Sequence, residues 1–365
     1  LIYLTDYRTA HSTQVELLDD IMFPQRVHWF PETYARVKTG MFYPPHKVAE
    51  KVLDPALMSV LKDRPCKTAL ILAAGNTAFA GLKAPERPET RLTYDYRFLP
   101  LTLTQVYAGR VAQALGGVEH VVTDASACAS SLKALMDVQT LIEMYGFDRV
   151  VVLSVEDGVS NTVLEFFGET KASLSWKEEQ DGVLPSAFDT VNRGFRIGQG
   201  SVLAVFESDR VAQNAKAKLL GAYSASEDST NAIGQREDGQ GFIRAMDGAM
   251  ALAKVKEVSI VKTHGTGTAS NNVAEKAAIE ARLKDFVATS YKAKIGHTMG
   301  SSGLLETCLL LDDMANTGVV PGIANRTNQD LRFLSEDIAV PGNTILSLAA
   351  GMGNIYSAAV LSTEI

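Results

Sequence analysis

Cysteine is scarce in this sequence: Cys66, Cys128 and Cys308 are the three, far apart and odd in number. No CxxC pair and no His/Cys ligand spacing occurs, so a zinc site is not expected, and the count suits a reducing cytoplasm. No apolar run approaches the roughly 20 residues that a membrane helix needs. The opening LIYLTDYR brings in Asp6 and Arg8 too early for a signal peptide. Positive charge is outnumbered, with 35 Lys and Arg against 42 Asp and Glu and a net charge of −7. That balance argues against nucleic acid or an anionic membrane as a main partner. A cytoplasmic protein with no metal site is therefore expected.

What is present is core material. Of 365 residues, 46% are hydrophobic, enough for one large core or for two fused halves. Residues 1–65 show no clear pattern. Beyond them, KTALILAAG (67–75) reads as a buried strand, LTLTQVYAGRVAQALGG (101–117) as a helix closed by glycine, and VEHVVTD (118–124) as the next strand. A long helix over 129–146 and the strand DRVVVLSVE (148–156) follow. Strands are expected over 195–208 and 218–225, then a Gly- and Asp-rich loop, STNAIGQREDGQG (229–241). Helices over 241–255, 272–286 and 303–316 alternate with a strand over 258–265, and two strands around a Gly-containing turn close the chain at 344–362. This alternation indicates an α/β fold with mainly parallel sheets. No sequence repeat is visible. Even so, the order of elements is compatible with a duplication, with halves at 1–228 and 229–365.

Three segments share one style, a strand followed by a reactive side chain and then small residues. TDASACASSL (123–132) places Cys128 just before a helix, where the positive end of the helix dipole favours thiolate and a strained turn would push the sulfur into a pocket. A tight helix–sheet contact that happens to contain cysteine would have the same composition. THGTGTASNN (263–272) presents His264 beside two Gly-Thr pairs, and KAKIGHTMGSSG (292–303) presents His297 after Gly296. Each histidine alone reads more readily as a satisfied core or loop residue. Together with an elbow cysteine, they form a set that can activate a nucleophile and bind a developing oxyanion.

These segments resemble the β-ketoacyl-acyl-carrier-protein synthases, decarboxylating condensing enzymes of thiolase fold. DASACASSL is similar to their nucleophile motif D-T-A-C-S-S-S-L, THGTGT to the segment of their first histidine, and KAKIGHTMGSSG to that of their second. Lys292 falls on the family's lysine position and Glu306 on its glutamate position. FDTVNRGFRIGQGSVLAVFE (188–207) is similar to F-D-x-x-R-x-G-F-x-x-G-E-G, and GMGN (351–354) is a weak version of the G-F-G-G turn. The similarity runs over about residues 100–365. Three departures stand out: Ser270, Asn271 and Asn272 replace the usual L-G-D, Met352 replaces the Phe of the turn, and Tyr356 stands where Asn usually follows.

The resemblance implies a thiolase-like fold, two related α/β halves in a layered αβαβα sandwich. It implies a ping-pong Claisen condensation in fatty-acid or polyketide biosynthesis. Cys128 carries the acyl group, His264 and His297 stabilise the enolate of a malonyl thioester, and Lys292 and Glu306 organise their surroundings. Gly351, Met352, Gly353, Thr266 and Thr268 contact substrate. No cofactor is expected beyond the pantetheine arm of an acyl carrier protein, and the expected partners are that carrier and a second subunit, identical or a ketosynthase-type partner. The strand DRVVVLSVE (148–156) and its polar sequel are candidates for the subunit face, or plain core. The competing readings are a non-decarboxylating acyltransferase of the same fold and a non-catalytic, chain-length-factor-like subunit.

Overall fold

The computed structural model describes residues 1–13, 53, 55–75, 104–156, 166–175, 178, 181–229, 231, 233–327 and 332–365. The first part of the chain supplies β1 (Ile2–Thr13), α1 (Pro55–Asp63), β2 (Thr68–Ala73), α2 (Thr104–Leu115), β3 (His120–Asp124), α3 (Ser130–Glu143), β4 (Arg149–Glu156) and β5 (Gly198–Ser208). The second part supplies β6 (Ala217–Ser226), α4 (Gln240–Ala253), β7 (Ile260–Lys262), α5 (Ala269–Arg282), β8 (Val287–Thr289), α6 (Lys292–Ile295) and α7 (Ser302–Thr317). It ends with the short ribbon β9 (Val319–Val320) and β10 (Ile338–Ala339), then β11 (Thr344–Gly351) and β12 (Ile355–Ser362).

The long strands form one ten-stranded sheet in the order β3-β2-β4-β5-β1-β6-β12-β11-β7-β8. Read inward from either end, the pairing is the same. β3, β2 and β4 are parallel, then β5 and β1 are antiparallel; β8, β7 and β11 are parallel, then β12 and β6 are antiparallel. The halves meet where Ile2–Leu4 of β1 pairs with Ala217–Leu219 of β6. The two parts of the sheet thus repeat one pattern of pairing. β6 lies alongside β12 over most of its length. In the sheet it therefore goes with the second half, although it precedes the division expected after residue 228.

Side-chain alternation sorts the core into layers. On one face of the first half, Leu70, Leu72, Val151, Leu153, Leu203 and Val205 pack against Leu57 and Leu61 of α1 and Tyr107 and Val111 of α2. On the other face, Ile71, Val150, Val152 and Ala204 join Leu132 and Leu135 of α3, Leu304 and Leu311 of α7, and Ile345 and Leu361 of the second half. Beyond that lie Leu346, Leu348, Ala358 and Val360, covered by Phe242 and Met246 of α4 and Ile279 of α5. The order is helices, strands, α3 with α7, strands, helices, which is the αβαβα sandwich. Because both faces of each central strand are buried, their sequences are continuous apolar runs rather than alternating ones.

β1 was hidden in the segment that carries no pattern, while residues 14–52 lie outside the described residues. DRVVVLSVE takes the plain-core reading, and its polar sequel lies outside the described residues. Every residue of β4 is buried, with β2 on one side and β5 on the other. Among the described residues, no helix is long and apolar enough to cross a membrane and no group of three or more His, Cys, Asp or Glu could hold a metal ion.

Candidate active site

Cys128 sits in a 3-10 turn, Ala127–Ala129, between β3 and α3. Asp124 at the strand end accepts the Ser126 N–H at 3.0 Å and pairs with Lys133 of α3, which pins the turn to the helix. Ala127 is forced to φ 47°, a left-handed conformation that costs a non-glycine residue energy. This is the strained elbow that the small residues of DASACASSL suggest. The second half repeats the device: Met299 has φ 47° in the turn Met299–Ser301 before α7, with Gly300 where the first half has Cys128.

The thiolate expectation needs correction. Cys128 is 7% exposed, and burial pushes its thiol up to about 12; Glu156 adds to that and Lys292 opposes it. Desolvation of the sulfur outweighs the neighbouring helix end, so the resting group is a thiol.

His264 follows β7 directly. The Glu275 carboxyl on α5, pushed up by burial, accepts the His264 backbone N–H, the Gly265 N–H at 2.9 Å and the Asn271 side-chain N–H at 2.8 Å, so one buried acidic group ties the histidine turn to the helix. Gly265 and Gly267 both have positive φ, and a Cβ on Gly267 would come within 2.5 Å of the Ser186 carbonyl. His297 is strapped to the start of β5. Its N–H donates to the Arg196 carbonyl at 2.6 Å and its carbonyl accepts from Gly198 at 2.9 Å. The two imidazoles meet edge to face at 5.5 Å, and Phe195 packs against the far ring, His297, at 4.8 Å.

Both histidines are held well below the ordinary histidine range. For His264 the causes are burial, then Lys292, His297 and Lys262; for His297 they are burial, then Lys292 and Lys262. Each is therefore a neutral ring with one N–H. Among the described residues, Nδ1 of both rings is buried with no hydrogen-bond partner. Either ring nitrogen can carry the proton, and on Nε2 it is free to donate.

Cys128, His264, His297, Thr266, Thr268, Gly351 and Met352 line one cleft, whose interior space is about 90 Å3. Thr266 and Thr268 hydroxyls bond each other at 3.0 Å along its wall. Lys292 and Glu306 lie beneath, fully buried, with Nζ to Oε1 at 2.7 Å. Gly351 and Gly353 do different work. A Cβ on Gly351 would lie 2.6 Å from the Ser126 carbonyl, so Gly351 allows the hairpin to approach the elbow. Gly353 has nothing near it and is needed for its φ of 86°. Of the two, only Gly353 uses the conformational freedom of glycine.

Four residues escaped the sequence reading. Lys262 is a lysine inside an apolar strand, and that isolation was the available signal. Glu275 lies four positions after Asn271 on one helix face. Phe195 belongs to the recognised R-G-F stretch. Glu227 has no sequence signal; it accepts the Tyr356 hydroxyl at 2.7 Å and fixes that tyrosine in the wall.

Two departures from the expected motifs face each other. Asn272 stands where the motif has Asp, and Asn192 where F-D-x-x-R-x-G-F has Arg. The Asn272 amide donates to Asn192 Oδ1 at 2.8 Å, and its oxygen accepts the Phe188 N–H at 3.0 Å. The missing acidic group is thus matched by a missing basic one.

Two family models match the chain. The N-terminal domain of beta-ketoacyl synthase covers residues 47–212 and the C-terminal domain covers residues 216–327. The chain belongs to the beta-ketoacyl synthase family. It is 28% identical over 278 residues to a 3-oxoacyl-[acyl-carrier-protein] synthase homolog of Saccharomyces cerevisiae, covering 70% of this chain and 61% of that protein. It is 27% identical to the tetracenomycin polyketide synthase ketoacyl synthase alpha subunit of Streptomyces glaucescens, covering 74% and 65%. The chain spans about six tenths of the length of these curated relatives. Among solved structures, a chain from a type II polyketide acyl-carrier protein in complex with its ketosynthase superposes with a TM-score of 0.77 at 19% identity, covering 99% of this chain and 98% of that one. A chain from a ketosynthase in complex with its chain length factor from Xenorhabdus doucetiae gives 0.72 at 17%, covering 99% and 97%. These likenesses confirm the thiolase-like fold.

Proposed function

We propose that this member of the beta-ketoacyl synthase family is an acyltransferase that joins an acyl group held on Cys128 to a malonyl thioester by decarboxylative Claisen condensation. The observation that carries the reading is the convergence of a buried thiol and two neutral imidazoles on one cleft.

In the first half-reaction, the Cys128 sulfur attacks the thioester carbonyl of an acyl carrier. A new C–S bond forms, the bond to the pantetheine sulfur breaks, and the Cys128 proton ends on the departing thiol. Backbone N–H groups of Cys128 and Met352 serve the transient oxyanion. In the second, a malonyl thioester loses CO2, and the electron pair of the broken C–C bond becomes an enolate. The Nε2–H groups of His264 and His297 donate to its oxygen, each such donor contributing about 10²–10³ in rate. The enolate carbon attacks the acyl carbonyl, the C–S bond to Cys128 breaks, and the released sulfur takes up a proton. This chemistry uses no redox cofactor, nucleotide or metal.

The partner is an acyl carrier protein. A second subunit, identical or a ketosynthase-type partner, would have an edge to join at β3, which ends the sheet and leaves Val121 exposed. A chain of this kind works in the cytoplasm. Retention of Cys128 beside both histidines disfavours the non-catalytic subunit reading.

Intact-mass measurement with a panel of acyl carrier proteins tests the proposal. Acyl adducts are expected on the wild type and absent from Cys128→Ala, whereas Cys128→Gln loses condensation but keeps malonyl decarboxylation. Loading that persists in Cys128→Ala overturns the assignment.

A further inference from the structure

Lys262 is fully buried, and nothing in the proposed chemistry uses it. It ends β7, one residue before Thr263 and two before His264. Its strand neighbours divide between the two core layers, Ile260 in the central one and Val261 in the outer one. By alternation Lys262 shares the face of Ile260 and reaches toward α7. There Nζ lies 3.2 Å from Oε2 of Glu306 and donates to the Leu348 carbonyl of β11 at 2.9 Å. The other carboxylate oxygen, Oε1, is the one that Lys292 holds at 2.7 Å. Two buried lysine amines therefore share one carboxylate, one on each oxygen.

Burying an ammonium costs several kcal/mol unless it is paired, and Lys292 alone would neutralise Glu306. A second lysine is superfluous for packing. We propose that Lys262 is an electrostatic positioning residue: by taking up the Glu306 charge it leaves the Lys292 ammonium to favour negative charge in the cleft, on the Cys128 sulfur and on an oxyanion between His264 and His297.

The charged and titratable groups around Lys262 agree. Glu306 comes from α7, Lys292 from α6 and Glu275 from α5, the last held by three N–H donors at the His264 turn. His264 and His297 both feel Lys262 and Lys292 as cations that disfavour imidazolium. Cys128 feels Lys292 lowering its thiol against Glu156 and burial. Burial lowers the Lys262 pKa while Glu306 and Glu275 raise it, and with Lys262 protonated its removal makes the floor of the cleft one unit more negative. At a single buried unit charge, a response of about one pH unit is expected.

The inference rests on the proposed function for its consequence in catalysis, but its electrostatics can be read without turnover. The probe is the rate of Cys128 alkylation by iodoacetamide at about pH 8, followed by peptide mass, since below its pKa a thiol reacts in proportion to its thiolate fraction. Lys262→Met should slow alkylation about tenfold, Lys262→Arg should keep the wild-type rate, and Glu306→Gln should speed it about tenfold. In malonyl decarboxylation, Lys262→Met should lower the rate and move the acid limb to higher pH, because imidazolium is then less disfavoured. A purely structural lysine would move melting temperature without these opposed shifts. If Lys262→Met does not fold, Glu306→Gln still decides. Alkylation unchanged or slowed in Glu306→Gln, or unchanged in a folded Lys262→Met, overturns the inference. Opposed alkylation shifts in a wild-type protein that does not decarboxylate would uphold it and sink the proposed function instead.

Discussion

Asn272 and Asn192 are joined amide to amide at 2.8 Å, across the join between the His264 segment and the loop that leads to Phe195. Asn272 is buried and Asn192 is exposed. The pair fixes the loop because Asn272 both donates to Asn192 and accepts from the Phe188 backbone. An aspartate in its place could accept from Phe188 but has no proton to offer, so it would face the Asn192 oxygen until that exposed amide turned over.

Asn272→Asp should therefore destabilise the protein by about 1–3 kcal/mol, the cost of a buried polar group left facing an acceptor. Adding Asn192→Arg supplies a cation to the new carboxylate and should recover most of that loss. Denaturant melts of the two single variants and the double variant give the coupling. Simple additivity would show that the two positions do not form a unit.

Gly351 and Gly353 should respond differently to alanine. Gly351→Ala puts a methyl carbon 2.6 Å from the Ser126 carbonyl, a backbone atom of the strained elbow that cannot swing aside. Overpacking of this kind costs about 1–3 kcal/mol, and here it displaces the turn that aims Cys128, so acyl loading should fall with stability. Gly353→Ala meets no atom and pays only for its φ, about 1 kcal/mol. Intact-mass loading and melting temperature, measured on both, should separate a loss of geometry from a simple loss of stability.

The histidines predict an unusual pH response. The neutral ring is the donor form, and both rings titrate well below 6.5, so the donor form persists as pH falls through the ordinary histidine range. Decarboxylation should stay level through that range and drop only at lower pH. Stability runs the same way. Below 6.5 the unfolded chain takes up protons that the folded histidines refuse, so lowering pH to about 5.5 favours unfolding. Replacing both by asparagine should flatten that part of the melting-temperature profile. An acid limb of decarboxylation centred near 6.5 would mean that the rings are not buried as neutral donors.

The layers of the fold were legible because buried parallel strands write themselves as unbroken apolar runs, KTALILAAG and DRVVVLSVE among them, separated by helices that end at Gly. The same property left the reading of DRVVVLSVE open: an interior strand and a sticky face have one composition, and only its neighbours β2 and β5 distinguish them. β1 was illegible because its IYLTDYRTAHST mixes charged and apolar residues while it pairs with β5 from the far side of the sequence. At the site, Cys128, His264 and His297 were legible because turns confine reactive residues among glycine and alanine. Lys262 and Glu275 were not, since a buried charge is recognisable only from the partner that satisfies it. The thiol state of Cys128 depends on how deeply the turn is covered, which spacing does not encode.

Met352 is the remaining departure with a direct physical consequence. It sits at the tip of the β11–β12 hairpin, 36% exposed, on the same cleft as Cys128, Ile233 and Tyr356. Gly353 beside it, at φ 86°, allows the turn to change shape, while Gly351 must stay seated against the elbow. Any motion of Met352 therefore pivots on its C-terminal side. An unbranched thioether adapts to more shapes than a ring does, so acyl groups of different outline should pass it at similar rates. With about 90 Å3 behind it, a long chain requires this side chain or a neighbour to yield. Met352→Phe should narrow the range of acyl groups loaded onto Cys128 with the fold intact. Met352→Ala should let malonyl thioester reach the histidines before Cys128 is acylated, so that decarboxylation no longer waits for loading. Loading rates for short, long and aromatic acyl carriers, with decarboxylation in the absence of acyl donor, measure both effects. Unchanged selectivity and unchanged order in both variants, at normal melting temperature, would leave Met352 as a wall residue without a gating role.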